Sequence, residues 1–169
     1  MKRFFWLAFL IALTASLSLS QESRILELKE KIIEIQNTSE LGFHHFNFCS
    51  NIIGFGSYVP LAKPVLDKNG ELLVYYEPVN VFTSKKEDLY EIWYAQDMVL
   101  LNSKGEVLQE WPNVLNFHYT TKTPVMDLYA QNSVTLGGQV PPGDYKFKAV
   151  LKDKLSGKSA VKVVDFEVR

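Results

Sequence analysis

The sequence predicts an all-β sandwich of about seven to nine strands preceded by one N-terminal α-helix. Three observations lead there. From Leu41 onward, aromatic and β-branched residues fill short runs separated by Gly, Asn and Pro at fairly regular intervals, which is the spacing of strands and turns. In "DYKFKAVLK" (144–152) the apolar Tyr145, Phe147, Ala149 and Leu151 alternate with Lys146, Lys148, Val150 and Lys152, so one face meets a core and the other meets water. Only an earlier stretch, "ESRILELKEKIIEIQNTSELG", carries apolar residues at helical spacing.

Residues 1–20 read as a signal peptide. Lys2 and Arg3 precede an apolar run from Phe4 to Leu13, and small and polar residues follow, with Ser18 and Ser20 suited to a cut after Ser20. The alternative is an uncleaved anchor, since counting on through Leu19 is just long enough for a short span; its Ser- and Thr-rich second half favours cleavage. The prediction is an exported protein, periplasmic or extracellular, with no stable membrane span once the signal is removed. Cleavage leaves 16 basic against 19 acidic residues, a net charge of −3.

Residues 21–40 form a helix and linker. Ile25, Leu28, Ile32 and Ile35 recur on one stripe, widened by Leu26 and Ile33, and predict a helix over 23–37 with Ser23 as N-cap and a favourable Glu27–Lys31 pair. The repeat lasts about two heptads where a coiled coil needs three or four, so docking on the chain's own domain is expected.

The sandwich domain covers 41–169. "GFGSY" (54–58) reads as a bend between sheets. Asn69-Gly70 is the strongest hairpin signal, because both residues tolerate positive φ, and "ELLVYYE" (71–77), apolar on both faces, belongs at a sheet centre. "LYEIWYAQDMVLLN" (89–102) is one long strand, or two meeting near Asp97; the turn "NSKG" leads to a return strand over 106–111, which Pro112 ends for want of an amide hydrogen. "NVLNFHYTT" and "VMDLYAQNSVTL" supply two more strands. After Pro141-Pro142-Gly143 comes the closing hairpin, where Val161 and Val163 fall out of phase with Val164, Phe166 and Val168, a pattern that predicts a β-bulge near Val163.

The segment "PPGDYKFKAVLKDKLSGKSAVKVVDFEV" resembles the closing hairpin of immunoglobulin-like and fibronectin type III-like modules of exported bacterial proteins. Together with "FCSNIIGFGSYVP" and "LLVYYEPVNVF" it is similar to uncharacterised secreted bacterial proteins built on one such sandwich, over roughly residues 41–169. The resemblance implies an immunoglobulin-like fold and an export route, and it carries no catalytic residues. It also places Tyr145 where a tyrosine-corner residue would bond back to nearby backbone. The paired cysteines of antibody domains have no counterpart, because Cys49 is alone.

Composition narrows function. The near-zero formal charge of −1 offers no basic surface for nucleic acid. Cys49, beside Phe46 and Phe48 and without basic neighbours, reads as a small buried hydrophobe. His44 and His45 are adjacent on a strand and should point to opposite faces, so a metal site would have to combine one of them with His118 and an Asp or Cys49. No nucleophile elbow, phosphate loop or paired catalytic carboxylate is recognisable, so the sequence assigns no catalytic, metal or cofactor residues. Aromatic residues on successive strands leave one ligand reading, a carbohydrate platform built around Trp93, Tyr94 and Trp111. The leading expectation is a non-catalytic exported module for protein interaction or envelope structure with an unknown protein partner; the alternative is carbohydrate binding.

Overall fold

The computed structural model describes residues 21–67, 70–135 and 140–169. The signal segment and Asn69 of the hairpin dipeptide lie outside the described residues. Helix α1 spans 21–38. Ten strands follow: β1 (Gly42–Gly54), β2 (Ser57–Pro60), β3 (Val65–Leu66), β4 (Glu71–Val79), β5 (Thr83–Lys86), β6 (Leu89–Asn102), β7 (Val107–Thr121), β8 (Ala130–Thr135), β9 (Gly143–Asp153) and β10 (Ser159–Val168).

They form two sheets. One has the order β2-β1-β4-β8, and the other runs β3-β10-β9-β6-β5 with β7 on the opposite edge of β6. The sheets face each other across a core to which β1, β4 and β8 contribute Phe48, Leu72, Val74 and Val134, while β6, β9 and β10 contribute Met98, Leu100, Phe147 and Phe166. At its centre lies a polar bridge: Gln96, fully buried on β6, accepts from the Tyr76 hydroxyl at 2.5 Å and donates to Asn132 Oδ1 at 2.8 Å. The single β6 amide thus joins two strands of the opposite sheet, and its burial is tolerable because both of its polar atoms are satisfied.

The alternating β9 matches its sequence pattern, with Tyr145, Phe147, Ala149 and Leu151 at 7% exposure or less. Tyr145 donates to the Pro141 carbonyl at 2.7 Å, four residues back. Strand β4 is central and buried on both faces.

Four local predictions require correction. "GFGSY" is not a bend between sheets: Phe55-Gly56 turns β1 into β2 within one sheet, with Gly56 at φ +64°. The strands flanking Gly70 do not form a hairpin, since β3 pairs in parallel with β10 while β4 lies in the other sheet. Pro112 does not end its strand; β7 continues to Thr121. Edge position explains this, because residues 112–114 bulge away from β6, and the Asp97 carboxylate accepts from the Asn113 amide at 3.0 Å where a ladder bond would have been. Finally, β9 and β10 pair without a register shift from Ser159 to Val168. Val161 and Val163 sit on the outer face, 55% and 46% exposed, and no bulge is needed.

Candidate functional site

Helix α1 is attached by its C-terminal half. Ile33 is buried, and the Asn37 side chain clamps Thr83 by donating to its carbonyl at 2.9 Å and accepting from its amide at 2.8 Å. Lys158 Nζ donates to the carbonyls of Asn37 and Ser39 at 3.0 and 2.7 Å, a cation at the C-terminal end of the helix, where it is favoured. Two turns earlier, Glu30 Oε1 accepts from Lys85 at 2.6 Å and from the Tyr90 hydroxyl at 2.5 Å. Lys85 foremost, then Tyr90, holds the Glu30 carboxyl below its ordinary range.

These contacts orient the helix against expectation. Ile33 and Glu30 face the domain, so Ile25, Leu28, Ile32 and Ile35 face solvent at 54, 52, 45 and 66% exposure. The stripe predicted to dock is unpartnered among the described residues; of the two residues that merely widened it, Ile33 docks together with polar anchors while Leu26 stays exposed. Basic residues border the exposed stripe on both sides. Arg24 and Lys31 lie within a turn of Leu28 on one flank, and Lys29 lies within a turn of Ile25 and Ile32 on the other.

The aromatic residues singled out by the sequence are not brought together. Tyr94 is on the inner face of β6 at 1% exposure, packed against Phe117. Trp93 points the other way; it stacks on His118 at 4.7 Å and donates to Asn116 Oδ1 at 2.8 Å. Trp111 faces inward against the core and lines a cleft of about 350 Å³ between the edges of β7 and β8. Tyr75, Tyr76 and Tyr90 are buried as well.

The histidines are distributed differently from the prediction. His118 is on β7, 2.8 Å from Glu91 Oε1, and with Lys86 it lowers the Glu91 carboxyl. His44 and His45 lie on β1 of the other sheet and share a face, with ring centroids 3.7 Å apart. The cause is a β-bulge between His44 and Asn47, where His45 takes a left-handed φ of +48°. Phe43 and Phe46 both turn inward around it. The unequal spacing of Phe43, Phe46 and Phe48 was the sequence signal for that extra residue, and strict alternation missed it. Cys49 is buried, and burial pushes its thiol pKa up. No helix among the described residues is long and apolar enough to cross a membrane.

No protein-family model matches the chain, and no curated protein matches its sequence. Among solved structures, it is similar to the Pseudomonas fluorescens alkylpurine DNA glycosylase AlkC bound to DNA containing an abasic site analog, with 11% identity and a TM-score of 0.46 over 78% of this chain and 31% of that one. It is also similar to a family 123 glycoside hydrolase from Clostridium perfringens, with 10% identity and a TM-score of 0.47 over 76% of this chain and 27% of that one. The chain spans less than a third of either protein.

Proposed function

We propose that the protein is an exported, non-catalytic module with an immunoglobulin-like sandwich, and that it binds a partner protein through the apolar stripe of α1. The observation that carries this reading is the orientation of the helix: four large aliphatic residues at a heptad-like spacing, Ile25, Leu28, Ile32 and Ile35, project into solvent from a helix anchored on its other side. Such a stripe is the kind of surface that packs into a groove or against another helix.

The flanking charges specify the partner. Two copies pairing through this stripe would bring Arg24 and Lys29 of both copies to the seam, Lys31 being paired with Glu27 of its own helix at 2.6 Å, and like charges beside a helix seam oppose association. The complementary occupant is an amphipathic helix of a different protein, with acidic residues on both sides of its own apolar stripe.

The test is calorimetric titration of the chain with a synthetic amphipathic helix bearing Leu on its stripe and Glu on both flanks, alongside a version with Lys on the flanks. The Glu-flanked peptide binds, binding falls as salt is added, and Ile32→Glu weakens it about tenfold or more. Preference for the Lys-flanked peptide would overturn the reading. So would self-association through α1 in sedimentation, or adsorption of α1 to anionic vesicles without peptide binding.

A further inference from the structure

We propose that His44, His45 and Glu77 form a binding site for a divalent transition-metal ion of the Zn²⁺ or Cu²⁺ class. One ligand atom from each residue lies within 4.8 Å of the other two. His44 Nδ1 is 3.6 Å from Glu77 Oε2, close to the separation of about 3.4 Å between two donors bound tetrahedrally to one zinc ion. The imidazoles of His44 and His45 are exposed, so a side-chain rotation can close the remaining gap.

Each member is placed by the fold. Glu77 is the direct register partner of His44 across the β1–β4 ladder. His45 reaches the same face only because the bulge adds a residue there, and Asn47 Nδ2 braces the bulge by donating to the His45 carbonyl at 2.9 Å. A left-handed φ at a non-glycine residue is a conformation the backbone adopts at a cost. Bulges recur where a side chain must be re-aimed toward a site.

The carboxylate is held as a metal ligand is usually held. Its side chain is only 13% exposed, and its second oxygen, Oε1, accepts from the Tyr75 hydroxyl at 2.7 Å. That hydroxyl accepts from the Gly56 amide at 2.8 Å, and the Tyr75 ring stacks on Tyr58 at 4.1 Å. Glu77 Oε2 is thereby fixed toward the imidazoles, the outer-shell orientation that carboxylate and imidazole ligands ordinarily receive. Two imidazoles and a carboxylate suit borderline divalent ions better than Ca²⁺ or Mg²⁺, which prefer all-oxygen sites. Three protein donors leave a position for solvent or for a side chain from a partner.

The experiment titrates ZnCl₂ and CuCl₂ separately into the untagged, chelator-stripped full chain and follows heat, together with copper electron paramagnetic resonance for the number of nitrogen ligands. The expected result is one site per chain with two nitrogens on copper. His45→Asn keeps a residue that tolerates left-handed φ while removing the imidazole, and Glu77→Gln keeps an acceptor for Tyr75; each lowers Zn²⁺ affinity about tenfold or more. His44→Ala, at an exposed position, gives the same loss without risk to folding. His118→Ala and Cys49→Ser leave binding unchanged. Affinity that is insensitive to Glu77→Gln and His45→Asn, that follows His118 or Cys49, or that equals the affinity of the urea-unfolded chain overturns the proposal.

Discussion

Asp153 shows how much a single buried side chain can organise. It is 2% exposed, and its carboxylate accepts from the amides of Leu155 and Ser156 in the β9–β10 turn and from Phe82 at 2.6 Å, far away in sequence. The carboxylate both shapes the closing turn and ties it to the chain entering β5. Asp153→Ala removes the acceptor from three backbone amides and is expected to destabilise the fold by about 3 kcal/mol. Denaturant unfolding checks this: the midpoint should drop with little change in the denaturant slope, and a loss below roughly 0.5 kcal/mol would show that water replaces the carboxylate at no cost. Its bond to Phe82, across 71 positions, leaves no local signal in the sequence.

At the scale of elements, α1 is the part whose role the fold decides. Its first turns contribute only exposed residues, and its attachment is concentrated in Glu30, Ile33 and Asn37. Helices held by few buried contacts open locally at low free energy. Asn37→Ala removes both hydrogen bonds to Thr83, so amide exchange over 21–36 should accelerate about tenfold or more while β6 and β9 keep their protection. Exchange that rises equally in the sandwich would mean that the helix is part of the cooperative unit. Strand β7 shows the same dependence on context. A proline that would break a central strand is accommodated at an edge, where its missing donor faces no partner and Asp97 serves the neighbouring amide. That carboxyl is raised by its partial burial, but the Asn113 amide and Lys152 more than offset the effect and hold it below its usual range.

At the scale of the whole molecule, buried tyrosines link the fold to pH. Burial pushes the phenols of Tyr75 and Tyr94 up to about 12, and pushes Tyr76 up further. In the unfolded chain they ionise near the ordinary value of about 10. Between these limits the folded state retains protons that the unfolded state releases, so stability is complete below about pH 10 and falls as pH rises toward 12. Denaturant midpoints at about pH 9 and pH 11, read with tyrosinate absorbance, should show that decline, with the buried phenols ionising only as the chain unfolds. Equal midpoints at the two values would place these tyrosines in contact with solvent.

The sequence by itself determined the class of fold and its local periods: the helix, the central β4 and the alternating β9. These follow from side-chain spacing and turn residues, which act over a few positions. It did not determine which strands pair. The turn before β4 and the second valine phase of β10 look alike locally whether they close a hairpin, cross between sheets or face water. Nor did it bring His44 and His45 to one face with Glu77. A bulge depends on register against the neighbouring strand, and only that pairing, with Phe43 and Phe46 drawn into the core on either side, turns the second imidazole outward. The outward set of the helix stripe was likewise decided by Asn37, Lys158 and Glu30 meeting partners from 46 to 121 residues away, because the faces of an amphipathic helix compete for burial and long-range contacts choose between them.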